Sequence, residues 1–220
     1  MKSVLACERT EATADQKLAL GQFRNERGFT MIEMLMVVAI LAIIAAMAIP
    51  SYMNYLRNYR VRNDANNIVG LTTIARMRAG ANLSRAAVSC SSSICQIYTL
   101  QYTPSAVCTP LANWNLEPQQ YTLSSTVQFG IPATATSGVM GQATTAPTQV
   151  YSGSGQTSLP YTIYFNSRGW PIDCNGNPIS NYALYLQDQP GVFSVAVGID
   201  PSGRGQVYVL SGSSYWVIKD

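Results

Sequence analysis

The 220 residues include no histidine. That absence removes the usual general base, the usual activator of a serine nucleophile and a common zinc ligand together. Lysine is nearly as scarce: beyond residue 28 the only one is Lys219, so a Ser–Lys pair has little to draw on. Serine is plentiful, but a hydroxyl without a base is a weak nucleophile. No catalytic, metal-ligating or cofactor-binding constellation is left, and the chain reads as a protein without chemistry of its own. Charge is thin as well. Only 11% of residues are charged and the net charge is +3, too little by itself to argue for a nucleic-acid partner.

Apolar residues make up 47% of the chain, enough for a sizeable core. The length suits one domain plus an extra element, or two small units. The few charges are unevenly placed. Between Tyr52 and Arg85 stand Arg57, Arg60, Arg62, Arg76, Arg78 and Arg85 against Asp64, a net of +5. From Ala86 onward Arg168, Arg204 and Lys219 face Glu117, Asp173, Asp188, Asp200 and Asp220, a net of −2. A basic stem therefore precedes an acidic head.

Sixteen apolar residues run unbroken from Met34 to Ile49, and counting from Phe29 gives 21 residues. As a helix that is roughly 31 Å, against about 30 Å for the hydrocarbon core of a bilayer. A secretory signal would carry its small-residue cleavage site after the apolar run. Here Ile49-Pro50-Ser51-Tyr52 follows it, and the small residue, Gly28, precedes it. A lipoprotein reading of Val4-Leu5-Ala6-Cys7 fails, because no apolar stretch comes before that cysteine. Residues 1–28 hold five basic and four acidic side chains, a polar leader suited to the cytosolic side.

Gly28-Phe29-Thr30-Met31-Ile32-Glu33, the apolar run and Pro50 together resemble the class III signal of type IV prepilins and pseudopilins. The resemblance implies cleavage by a prepilin peptidase between Gly28 and Phe29, then N-methylation of Phe29. The 28-residue leader is longer than that family's usual handful. Glu33 is costly at the edge of an apolar segment unless paired. Thr30-x-x-Glu33 can form a capping box, with Glu33 folding back on its own helix start. The resemblance implies a second role, in which Glu33 neutralises the new amino terminus of Phe29 in its own chain or a neighbouring subunit. The two roles suit different states.

Pro50 is expected to end or kink the membrane helix, which can resume beyond it. Val61, Ala65, Ile68, Leu71 and Ala75 then form one helical stripe with the arginines largely off it, predicting an amphipathic half over 51–85. Those arginines read as solvated, with acidic neighbours or the lipid phosphates near Arg57, Arg60 and Arg62 as the alternative. The head, 86–220, shows β-like runs at Ile94–Tyr102, Tyr121–Phe129, Tyr161–Asn166, Tyr182–Gln187, Val192–Ile199, Gln206–Leu210 and Tyr215–Ile218. Asp200-Pro201-Ser202-Gly203 and Asn166-Ser167-Arg168-Gly169 predict type I turns. The Ser/Thr/Gly-rich, uncharged stretch 124–160 is expected to be a long exposed loop with a short strand near Val150. The predicted fold is α+β, the type IV pilin fold implied by the resemblance: a long N-terminal helix, transmembrane over 29–50, packed on an antiparallel β-sheet head.

Cys90, Cys95, Cys108 and Cys174 follow the cleavage motif, and an even number in a head folding outside the cytosol predicts two disulfides. Three connectivities are open, Cys90–Cys95 with Cys108–Cys174 among them. Zinc is disfavoured by the spacing and by the missing histidine.

Ile74–Cys90, Ile163–Pro171 and Ser202–Val207 resemble segments of the GspH/FimT family. Some FimT-type members bind DNA through a Gly-Arg-x-Arg motif at the late turn. Here Gly203-Arg204-Gly205-Gln206 keeps one arginine, which is a poor phosphate site because affinity needs several basic contacts. The expected function is a minor pilin of a type IV pilus, serving motility, adhesion or DNA uptake. A type II secretion pseudopilin is the alternative and the major filament subunit a further one. The expected partners are other pilins, the prepilin peptidase, the inner-membrane assembly platform and the lipid bilayer, with DNA the least favoured. The expected location is the inner membrane, single-pass with a periplasmic head, and then the pilus or pseudopilus.

Overall fold

The computed structural model describes residues 28–100, 114–131, 139, 149–151, 154–156, 160–173, 176–179, 182–212 and 214–217. The chain divides into two compact units, Met1–Ile49 and Pro50–Asp220. One helix, α1, runs from Met31 to Ala81 through both. Pro50 lies inside α1 instead of ending it. Its missing N–H leaves one intrahelical bond unmade, a local cost that a long helix can carry.

In the first unit α1 has a single chemistry. Its large apolar side chains, from Met31 to Ile49, are all exposed. Within the second unit the helix becomes one-sided. Val61, Ala65, Ile68, Leu71, Ala75 and Ala79 are buried and share a core with strands of the head. The predicted stripe is thus the packed face. The helix stops at Ala81, short of the expected 85, because Arg85 already opens the first strand.

A Schellman motif makes that stop. The Ser84 N–H donates to the Ala79 carbonyl at 3.1 Å and the Leu83 N–H to the Gly80 carbonyl at 3.3 Å. The residue between them must be left-handed, and it is Leu83, at φ 47°. Glycine takes that position without strain, whereas a Cβ there costs about 1–2 kcal/mol.

Two antiparallel sheets, not the single one expected, form the head. The first has the order β3-β2-β1-β7-β8, with β1 (Arg85–Cys90), β2 (Ile94–Leu100), β3 (Asn115–Thr122), β7 (Tyr161–Phe165) and β8 (Pro171–Ile172). The second has the order β12-β11-β10-β9-β5-β6. Its strands are β5 (Gln149–Tyr151), β6 (Ser154–Gln156), β9 (Tyr182–Asp188), β10 (Ser194–Ile199), β11 (Gly205–Ser211) and β12 (Ser214–Val217). The short β4 (Val127–Phe129) also pairs with β9.

Alternation explains how two sheets share one helix. Ala86 and Val88 on β1, and Leu184 and Leu186 on β9, face the α1 core. Ala87 faces a second cluster with Leu100 and Trp114, and Ala183 and Tyr185 face a third with Val139, Ala196 and Tyr208. Both faces of β1 and β9 are therefore covered. Among the described residues, part of the stretch expected as an exposed loop over 124–160 is packed, and the short strand expected near Val150 is β5. Val127 and Val139 are buried, the Val139 N–H donates to the Tyr185 hydroxyl at 3.1 Å, and β4, β5 and β6 belong to the second sheet. Only β6, at an edge of the second sheet, reads Ser-Gly-Gln and carries no apolar residue to show it.

One polar contact ties α1 to the head. Asp64 is fully buried on the packed face. Its Oδ1 accepts the Tyr121 hydroxyl at 2.7 Å and the Ser124 hydroxyl at 3.0 Å, and its Oδ2 accepts the Ser124 N–H at 2.9 Å. Burial first, then the hydrogen bond and charge of Asp64, push the Tyr121 phenol up to about 12.

Two outcomes are expected. Asp64→Ala orphans three donors and lowers the unfolding free energy of the detergent-solubilised chain by about 3 kcal/mol in a urea titration. For Tyr121 the folded pKa is raised, so its contribution is complete below the ordinary phenol value of 10.0 and is lost as pH rises towards about 12. Alkaline unfolding followed by tyrosinate absorbance is expected in that window. Tyr121→Phe, less stable at neutral pH, flattens it.

Candidate processing and assembly site

Gly28, Phe29 and Thr30 lead directly into α1. Thr30 is the N-cap. Its hydroxyl accepts the Glu33 N–H at 3.3 Å, and its carbonyl accepts the N–H groups of Glu33 and Met34 at 3.1 and 3.2 Å. This is the Thr30 half of the predicted capping box. Among the described residues no hydrogen bond reaches the Glu33 carboxylate to complete it. Glu33 therefore stands in the first turn, where a negative charge suits the helix dipole, with its acceptor capacity unspent.

Phe29 is exposed, and so is every large apolar side chain after it up to Ile49. Among the described residues α1 is the one helix long and apolar enough to cross a membrane, and the apolar window within it is wholly unburied. A soluble core helix would have hidden that surface against its own chain. Gly28 needs no glycine for the fold, since nothing lies within 4 Å of where a Cβ would stand.

The cysteines divide. Cys90 and Cys95 are bonded, and they are register partners closing the β1–β2 hairpin at a Cα separation of 4.0 Å. Cys108 and Cys174 lie outside the described residues.

Arg204 sits exposed on the turn between β10 and β11. The turn is held by Asp200, whose Oδ1 accepts the N–H groups of Ser202 and Arg204, both at 2.9 Å, and the Ser202 hydroxyl at 2.6 Å. Burial pushes the Asp200 carboxyl up, but those bonds and the Arg204 charge outweigh it and hold the group below the usual carboxylate value. Asn166 builds the same device between β7 and β8, accepting the N–H groups of Arg168 and Trp170 at 2.9 and 3.0 Å. Gly203 and Gly169 close the two turns at φ 82° and 78°.

Nothing in the residue pattern pairs these turns, yet they meet. A Cβ on Gly203 would lie 2.3 Å from the Gly169 carbonyl oxygen, and one on Gly169 would lie 2.7 Å from Arg76 Cγ. Arg76, read as a solvated stem residue, is half-buried against both turns. Asp64 was also missed as a tie. Its place one residue before Ala65 on the buried stripe was the available signal.

The prokaryotic N-terminal methylation motif matches residues 23–49, a span that includes Gly28, Phe29 and the apolar run. Among curated proteins no sequence matches the chain. Two solved structures are similar at 10% identity. One is the minor pseudopilin EpsH from the type 2 secretion system of Vibrio cholerae, at a TM-score of 0.40 over 69% of this chain and 97% of that one. The other is the type IV minor pilin FimU of Pseudomonas aeruginosa, at 0.37 over 74% and 96%. The likeness is loose and decides neither fold nor function.

Gly203→Ala puts a Cβ into the Gly169 carbonyl at a left-handed position. It is expected to destabilise the head by about 3 kcal/mol, read as a lowered midpoint in denaturant. Gly28→Ala, with open space around it, should leave that midpoint unchanged.

Proposed function

We propose that the chain is a type IV pilin-like filament subunit, a minor pilin or pseudopilin. In this reading a prepilin peptidase cuts between Gly28 and Phe29 and Phe29 is N-methylated. The apolar half of α1 holds the subunit in the inner membrane, with the head in the periplasm, until the assembly platform passes it into a filament among other pilins. The role is structural, without chemistry of its own.

One observation carries the reading: the methylation motif over residues 23–49 covers the apolar first stretch of α1, which its own chain leaves wholly uncovered. Such a surface requires lipid, the packed helices of other subunits, or each in turn. The surroundings of Gly28 support cleavage, because a glycine the fold does not need is free to serve an external enzyme. Glu33 supports assembly. Its carboxylate has no partner among the described residues, while cleavage creates an amine at Phe29 four residues away. An amine–carboxylate pair gains strength as water is excluded. A pair that forms with a neighbouring subunit's Phe29 draws the subunit out of the bilayer and into the filament.

A type IV pilus is the machine this reading favours, and a type II secretion pseudopilus is the alternative. Mass spectrometry of sheared surface filaments and of the remaining envelope tests both. N-methylated Phe29 at the amino terminus, found in the filaments, is the expected result. The same peptide confined to the envelope moves the assignment to a short pseudopilus. A chain still carrying residues upstream of Phe29, in cells whose peptidase cuts other pilins, overturns the proposal. Glu33→Gln should be cleaved normally yet enter filaments at least about tenfold less, the effect of one lost ion pair.

A further inference from the structure

We infer that residues 52–60 of α1 form a binding surface for the headgroups of anionic phospholipid, which sets how deep the subunit sits before assembly. This rests on the filament-subunit reading and deepens it by naming the lipid class that the membrane helix meets.

Tyrosine is the starting point. Tyr52, Tyr55 and Tyr59 are 62%, 66% and 58% exposed. Their spacing of three and four residues sets them on one face of α1, roughly opposite the row of Val61, Ala65 and Ile68 that packs on the head. The head therefore leaves these rings uncovered, and the fold gains nothing from them. Met53, half exposed, shares the other side of the helix with half-buried Arg57 and exposed Arg60. A tyrosine carries an apolar ring and a hydroxyl, which suits a layer that is apolar on one side and wet on the other.

That layer falls where these residues stand. About 20 helical residues cross the hydrocarbon core of a bilayer. Counted along α1 from Met34, the first residue past Glu33, the crossing closes at about Met53. Tyr55, Arg57, Tyr59 and Arg60 follow within two turns of helix. At the helical rise, Arg60 comes roughly 10 Å after Met53. Side chains on a helix slope towards its N-terminus, so the guanidinium reaches back into a headgroup layer about 5–7 Å deep.

Charge selects the lipid. Between Glu33 and Asp64 the only charged residues are Arg57, Arg60 and Arg62, and setting the Asp64 charge against these three still leaves +2. Among the described residues no carboxylate pairs with them. The Asp64 oxygens accept from Tyr121 and Ser124, and Arg62 Nε donates to Asn58 Oδ1 at 2.8 Å. Guanidinium donors in a headgroup layer suit phosphate, and a net positive surface draws anionic before zwitterionic lipid. The acidic head of a second copy is the rival partner. The bilayer is favoured by continuity, because the surface directly follows the apolar run on the same helix, whereas a second copy is met only on assembly.

The test uses the purified full chain, with Tyr55 replaced by a photoreactive phenylalanine derivative, in vesicles of phosphatidylcholine and phosphatidylglycerol in equal parts. Adducts formed on irradiation are identified by mass spectrometry. The expected product joins the chain to lipid, with phosphatidylglycerol exceeding phosphatidylcholine at least about threefold, less than one arginine is worth near a charged surface. Salt at about 1 M, which shortens the screening length to about 3 Å, should bring the two lipids to parity. Arg57→Gln combined with Arg60→Gln and Arg62→Gln should do the same and leave the midpoint in denaturant unchanged. The inference is overturned by no lipid adduct, by equal yields of the two lipids, by an adduct joining two copies of the chain, or by a ratio indifferent to salt and substitution. Flotation of the same vesicles separates the two proposals. A chain that floats without preferring phosphatidylglycerol sinks the headgroup surface alone, whereas a chain that stays below the vesicles sinks the membrane-rooted filament reading.

Discussion

The packed face of α1, with Val61, Ala65, Ile68, Leu71, Ala75 and Ala79 in one row, is the constraint to which the head answers. Alanine at three of the six positions keeps the helix surface flat, so that strands from two sheets can reach it. Both sheets must then bend their inner faces to a single cylinder while their outer faces need covers of their own. Trp114 over Ala87 and Leu100, and Val139 over Tyr185, are those covers. Apolar packing of this kind is non-directional and would tolerate sliding. Asp64 supplies the direction, because its three hydrogen bonds to Tyr121 and Ser124 are satisfied at one position of the helix only.

The same helix answers a different demand in the first unit. Among the described residues before Pro50, no face of the helix is buried and every large apolar side chain is exposed. After Pro50 one face is committed. The break in chemistry falls where the two compact units divide, and it was legible from composition alone: sixteen apolar residues without a charge, then arginines around a stripe.

Legibility followed the strength of local patterns. β2, β7, β9, β10, β11 and β12 lie in or against valine-, tyrosine- and isoleucine-rich runs, and both turns closed by Gly169 and Gly203 followed from their residues. β3 hid its first six residues, because Glu117 and Pro118 are poor strand residues that an edge strand can tolerate. β5 lies where a short strand near Val150 was expected, whereas β6, Ser-Gly-Gln, has no apolar residue to signal it. Asp64 was missed despite its place beside the stripe, because a carboxylate on a helix looks solvated until the strand that covers it is known. At the candidate processing site the geometry adds Thr30's cap and the open space around Gly28 to what the residues suggest.

Arg76 and Leu83 show where a chain spends stability. Arg76 lies where only glycine backbones leave room, so the two turns could not be brought together with ordinary residues at positions 169 and 203. That arrangement is internally consistent: left-handed glycines, a packed arginine stem and two identical side-chain-held turns all serve the same junction. Leu83, three residues past Gly80 at the end of the same helix, breaks the pattern. It takes the left-handed position that glycine fills at both neighbouring turns and then leaves its side chain in solvent.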